Sequence, residues 1–281
     1  MDNQESLEEL VLNTLDIPPM PAVAVKVSRA IRDPDASSND IARIIGEDPG
    51  ITIKVLRVAN SSLYANSAES LPQAVIALGF KAVLNLILAD ATKNIHRSSG
   101  TIEDYLWKHS IGSAVAANYV AKYAGLSTVD EAFTVGLLHD VGKIILNNYD
   151  TKKFSQTISM RNSKNISSCE AEFEIFGFDH TAVGGAVLKR WDLSDGLVGA
   201  VRFHHRLNFV QKAPLPVKKL AYVSNLANRI TYVLQLNNDV KHSDRNNLNE
   251  TVRVLELTSD KIMAITHDTK ENFEEEFHAF S

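Results

Sequence analysis

The chain of 281 residues is 44% hydrophobic and 22% charged, a globular composition with enough apolar material for a core rather than a disordered chain. A net charge of -5 excludes a broadly basic protein that would hold nucleic acid or an anionic membrane by charge alone. The single cysteine, Cys169, excludes an internal disulfide, and the start MDNQESLEEL lacks the basic and apolar runs of a signal peptide, so a cytoplasmic setting is expected.

Glycine is sparse, at 13 residues, and apolar residues recur at three- and four-residue spacing through long segments, which predicts an all-α protein. SLEELVLNTL reads as a first helix, stopped by the three prolines of IPPMP, which force an extended turn. AVAVKVSRAI runs to Asp33-Pro34. Ser38 is placed as the cap of NDIARIIGE, which stops at Asp48-Pro49. ITIKVLRVANS and LPQAVIALGF follow, the latter ending near Gly79. The helix pair over residues 37–59 has the dimensions of a nucleic-acid-binding helix-turn-helix. Helix pairs are common, however, and the net charge has the wrong sign, so nucleic acid is not an expected partner.

The polar NIHRSSGTI at 94–102 marks a boundary. It separates an N-terminal helical subdomain (1–100) from a second helical subdomain (101–237) packed on it. A C-terminal helical extension (238–281) follows. Longer helices are predicted over 103–125, 130–148, 151–163, 167–176, 180–192, 194–206 and 214–236. NDVKHSDRNNLNE at 238–250 is polar and expected to be mobile. The tail ENFEEEFHAFS places Phe273, Phe277 and Phe280 on one helical face, predicting a terminal helix packed on the body rather than a partner-docking helix. The most apolar stretches, such as AVLNLILADA, are too short and interrupted to span a bilayer, so no membrane is expected. Cys169 opens a polar helix away from the histidine segments and is expected neither to catalyse nor to ligate, although a helix N-terminus would lower its pKa.

Chemistry gathers around the histidines. Of 9 in the chain, His96, His242, His267 and His278 sit among polar residues and are expected to be solvated. The other five are in apolar company. His109 shares a stripe with Leu106, Ser113, Ala117 and Val120. His139 and Asp140 lie in the apolar GLLHDVGK, His180 opens HTAVGGAVLKRW, and His204 and His205 close LVGAVRFHH. A buried charge is costly unless paired or bound to metal. His139 and Asp140, about 100° apart on a helix, could reach one ion. Lys143 rises beside them at i+4 and i+3 and suits an anion held by that ion. Each residue also has a plain structural reading. His109 can be a hydrogen-bonded core residue, Asp140 and Lys143 an ion pair, and His204-His205 a solvated helix end. Taken together, imidazoles and a carboxylate on separate apolar helices favour a divalent metal of the iron, manganese, zinc or nickel kind.

These residues resemble the HD superfamily of metal-dependent phosphohydrolases. IPPMPAVAVKV, Asp48-Pro49, KVLRVANSS, AVIALGFKAVLNL, WKHS, AFTVGLLHDVGK, FGFDHTAVGGAVLKRW and VRFHH follow in the order of an HDOD domain, over residues 10–236. The resemblance implies an all-helical fold, its second subdomain an HD-like bundle, and a role in bacterial signalling with protein partners. The related HD-GYP phosphodiesterases of cyclic di-GMP imply a metal site of one or two ions at His109, His139, Asp140, His180, His204 and His205. They imply a phosphate contact at Lys143, and Asp140 and Lys143 as the catalytic pair if there is turnover. Two departures stand out. Asn225 occupies the late aspartate position, and RLNFVQKAPLP replaces the glutamate and DG-GYP loop. Cyclic di-GMP hydrolysis is therefore not expected. The expectation is a regulatory protein that keeps the metal site, with hydrolysis of a nucleotide, cyclic dinucleotide or other phosphoester as the alternative.

Overall fold

The computed structural model describes residues 10–60, 68–97, 99–234 and 248–280. Among these there is no strand, and the chain is all-α as expected. It divides into two compact units, one of Pro19–Asn94 with Glu274–Ser281, the other of Met1–Pro18 with Ile95–Phe273.

The smaller unit holds α1 (Ala22–Ile31), α2 (Ser38–Ile45), α3 (Pro49–Ala59), α4 (Leu71–Leu78) and all but the last residue of α5 (Phe80–Ile95). The cap of α2 is Ser37, one residue earlier than expected. Its hydroxyl accepts from Asp40 N while the Asp40 carboxylate accepts from Ser37 N, a reciprocal pair that Ser38 has no acidic partner to form. Asp48 caps α3 through Gly50 N and Ile51 N, with Pro49 in the first turn where no N–H is missed. Gly79, at φ 81, takes the left-handed region that a side chain resists, and α4 and α5 meet there at 102°. No single helix among the described residues is long and apolar enough to cross a membrane.

The larger unit is built from α6 (Thr101–Tyr123), α7 (Val129–Leu138), α8 (Val141–Tyr149), α9 (Thr151–Lys164), α10 (Ser168–Phe176), α11 (His180–Arg190), α12 (Asp195–Phe203), a 3-10 turn (Leu207–Val210), α13 (Leu215–Val233), α14 (Leu248–Val254) and most of α15 (Ser259–Phe280). Helix α6 packs on α7 and α13, α11 on α8 and α12, and α12 on α13. Leu106, Ile111, Leu137, Leu138, Ile144, Leu188 and Tyr222 are buried between them. Each such side chain withdrawn from water contributes about 1.5–3 kcal/mol.

The helix expected over 130–148 is two. It breaks at His139 and Asp140, where Asp140 adopts φ -105 and ψ 12. Close packing brackets the break. A Cβ on Gly136 would lie 2.4 Å from Ser113 O of α6, and one on Gly142 would lie 2.0 Å from His180 O of α11. One helix end is thus pressed on α6 and the next on α11, and a straight helix does not serve both.

Asn165, at φ 55, closes α9. Ser167 and Glu170 form a capping box on α10, and Gly177 ends it. Asp179 then caps α11 through Thr181 N and Ala182 N, which places His180 in the first turn. His96 departs from expectation: it is half-buried, both ring nitrogens lack a hydrogen-bond partner, and burial lowers its pKa. His267 and His278 are exposed. His242 and most of the polar 238–250 stretch lie outside the described residues, as do the first four residues of SLEELVLNTL, whose 10–14 are helical, and the end of KVLRVANSS. Phe273 and Phe280 are buried and Phe277 is partly so.

Candidate metal centre

All six residues read from the sequence as ligands fall in the larger unit, and the structure brings them together. His109 comes from α6, His139 and Asp140 from the α7–α8 break, His180 from the start of α11, and His204 and His205 from the end of α12. His109, His139, Asp140, His180 and His204 are at most 2% exposed, and His205 is partly exposed. Their donor atoms form two groups, His109/His139/Asp140 and Asp140/His180/His204/His205, each with its donors within 4.8 Å of one another.

Asp140 is the shared member, one oxygen facing each group. Oδ2 lies 3.3 Å from both His109 Nε2 and His139 Nε2. Oδ1 lies 3.3 Å from His180 Nε2 and 3.8 Å from His204 Nε2. The tautomers follow from the far side of each ring. His139 Nδ1–H donates to Gly136 O and His204 Nδ1–H to Val201 O, both at 2.7 Å. His180 Nδ1–H donates to the Glu172 carboxylate at 2.6 Å. A neutral imidazole that donates from Nδ1 presents a lone pair at Nε2. The Nε2 lone pairs of His180 and His204 therefore face Asp140 Oδ1, acceptor against acceptor, whereas His139 Nε2 lies 3.2 Å from His109 Nε2 and can accept from it. His180 Nε2, His204 Nε2 and Asp140 Oδ1 are buried without a hydrogen-bond partner. Such a meeting is repulsive unless a cation lies between, so the donor set fits a divalent ion. Nitrogen with carboxylate ligation suits the iron, manganese, zinc and nickel class.

The electrostatics agree. Burial holds His109 down to about 4 against the partial opposition of Asp140, and burial with the neighbouring imidazoles lowers His204, so both are neutral and able to ligate. Burial would raise Asp140, but the Lys143 ammonium opposes that and helps keep the carboxylate well below its usual range. Lys143 Nζ donates to Asp140 Oδ2 at 2.6 Å. Burial opposes its charge, yet Asp140 holds the ammonium above its ordinary value. Asn225 donates from Nδ2 to His204 O at 2.8 Å, which steadies the end of α12.

Glu172 is the functional residue that sequence reasoning missed. It accepts from both His180 N–H and His180 Nδ1–H and is buried on α10. Its segment, NISSCEAEFE, looks like a solvated helix start, and only the turn at Gly177 brings it to His180. Cys169 also departs from expectation. It lines a cavity that reaches His205, and burial with the Asp179 and Glu172 carboxylates pushes its thiol well up rather than down.

That cavity, of about 1130 Å³, reaches the centre at His205 and Asn225 and is bordered by Arg161, Arg206 and Arg229. A second, of about 450 Å³, opens on the Lys143 side between Tyr105, Phe154 and Glu172. Arg161 borders both cavities, and each reaches a neighbour of the carboxylate, His205 in one and Lys143 in the other.

A sequence model of the HDOD domain matches residues 17–207. A solved HDOD domain protein of unknown function from Geobacter sulfurreducens superposes with a TM-score of 0.79, at 24% identity, over 99% of this chain and 97% of that one. A provisionally named phosphohydrolase from Shewanella amazonensis SB2B superposes with a TM-score of 0.72, at 21% identity, over 96% and 98% of the two chains. An uncharacterized protein of Treponema pallidum (strain Nichols) is 23% identical over 217 residues, covering 76% of this chain but only 42% of that longer protein. The solved relatives bear on the fold.

Proposed function

This chain belongs to the HDOD family, and from that premise we propose that it is a regulatory signalling protein whose larger unit holds a divalent metal and binds a phosphoester there. The observation that carries the reading is the pair of Nε2 lone pairs on His180 and His204 directed at Asp140 Oδ1, with none of the three atoms holding another partner. His109, His139 and Asp140 Oδ2 would hold an ion on one side, and His180, His204, His205 and Asp140 Oδ1 on the other. The bound ion would polarise a phosphoryl oxygen and lower the pKa of a water. Lys143 offsets phosphate charge, and Glu172 keeps His180 in the ligating tautomer. Protein partners read out the state of the site.

A second reading, turnover of the phosphoester, is favoured by the same donors with Lys143 and an adjoining cavity. Asp140 and Lys143 would then be the residues nearest the reacting phosphorus. Asn225 counts against it, because a neutral amide takes no proton from a water and is a weaker ligand than a carboxylate.

Metal analysis of freshly purified full chain tests the site without a substrate guess. At least one ion per chain is expected in the parent and none in Asp140→Ala. A panel of phosphomonoesters, nucleotides and cyclic dinucleotides with added manganese or iron should show binding without turnover. Turnover above a metal-only control would establish the second reading, and neither metal nor binding would overturn both.

A further inference from the structure

Helix α13 carries Asn225 and Asn228, three residues apart and so on one face. Both line the 1130 Å³ cavity beside the candidate metal centre. They are 5% and 3% exposed, and Oδ1 of each is buried without a hydrogen-bond partner. The Asn225 amide orientation is fixed, because its Nδ2 donates to His204 O. The oxygen is therefore the atom left over, and a buried acceptor left unmet is costly.

The same cavity is lined by Arg161, Lys164, Arg206 and Arg229 against Glu170 and Glu174. Lys164 pairs with Glu174, and Arg206 pairs with Asp179. By the charges that line it, four basic side chains against two acidic ones, the cavity favours an anion. The cavity thus asks for two things of one occupant: negative charge, and hydrogen-bond donors. Inorganic phosphate supplies the first and little of the second. A phosphoryl group joined to a polyol or an amino-bearing ring supplies both.

We propose that this cavity selects the organic part of a phosphorylated ligand, and that Asn225 and Asn228 are its specificity residues, each accepting a hydrogen bond from a ligand hydroxyl or N–H. The proposal rests on the phosphoester reading above and adds to it what the ester group must carry. The donors have two chemical sources, sugar hydroxyls or a base amine, and the choice of probes separates them.

The experiment is titration calorimetry on manganese-loaded full chain with inorganic phosphate, ribose phosphate and adenosine monophosphate. One hydrogen bond satisfied at a buried acceptor is worth about tenfold in affinity. At least that gain over phosphate is expected for one of the organic probes. Ribose phosphate matching the nucleotide assigns the donors to hydroxyls, and a gain for the nucleotide alone assigns them to the base. Asn228→Leu, with the same number of side-chain heavy atoms and no acceptor, should erase the gain while leaving metal content and phosphate affinity unchanged. Asn228→Ala, with thermal melting of both variants, stands in if the leucine disturbs folding. Organic phosphates that bind no tighter than phosphate, or a gain that survives both variants, would overturn the proposal while the phosphoester reading stands. A chain with neither metal nor affinity for any probe fails at the earlier reading, and this one falls with it.

Discussion

Two ions approaching Asp140 would not meet equal terms. Oδ2, which faces His109 and His139, already carries the Lys143 ammonium at 2.6 Å, whereas Oδ1 faces imidazole nitrogens only. Positive charge beside Oδ2 opposes a second cation there. Lys143→Met should therefore raise the metal-to-protein ratio toward two, measured by mass spectrometry after equilibration with excess metal. The same variant leaves the Asp140 charge uncompensated when metal is stripped. Its metal-free form should melt below the metal-free parent, by as much as about 3–5 kcal/mol of stability, and added metal should restore it. The pH dependence of the metal-free protein has a definite sign. Burial lowers His109 to about 4 and lowers His204, whereas the unfolded chain protonates near the ordinary histidine value of about 6.5. The unfolded state takes up protons first, so stability is present above about 6.5 and is lost as pH falls toward 4. Denaturant titration of chelator-treated protein at pH 7 and pH 5 should show the lower midpoint at pH 5. An unchanged midpoint would contradict the burial of these rings.

Among elements, the break between α7 and α8 decides the geometry of the site. Gly136 and Gly142 let that break lie against α6 and α11 at backbone distance. Gly142→Ala would bring its Cβ 2.0 Å from His180 O, so α8 and α11 must part. The expected loss is about 1–3 kcal/mol, with weaker metal binding because His180 moves away from Asp140. Calorimetric melting and metal content measured on one preparation check it, and a variant with full stability and full metal content would refute the tight contact. Much of this was legible in the sequence. The helices of α6 and α9 to α13 show their spacing, and the ligands announce themselves as imidazoles in apolar runs. The break did not announce itself, since AFTVGLLHDVGKIIL reads as one unbroken apolar helix. Glu172 was hidden for the opposite reason. Its neighbours are polar, and its burial depends on a chain reversal at Gly177 that no local pattern connects to His180. The cavity residues Asn225 and Asn228 gave no more than a pair of amides, because what matters is the missing partner at Oδ1.

At the scale of the whole molecule, the site belongs to one unit alone, and none of its ligands lies in Pro19–Asn94. Removing metal with a chelator should lower the melting temperature of that unit. The loss corresponds to roughly 3 kcal/mol when free metal had stood about a hundredfold above its dissociation constant. Scanning calorimetry with and without chelator reads the shift, and identical traces from metal-loaded and stripped protein would count against the site. The ligands span residues 109–205 and sit on helices that meet only in the finished bundle. An unfolded chain offers no comparable cage, since loops of that length must close before the donors converge. Capture of an ion would then be among the last events of folding, and its release would require helices to separate first. A bound metal would act as a latch on the time axis. It would lengthen the lifetime of the native state by slowing unfolding, and leave the rate of folding nearly as it was.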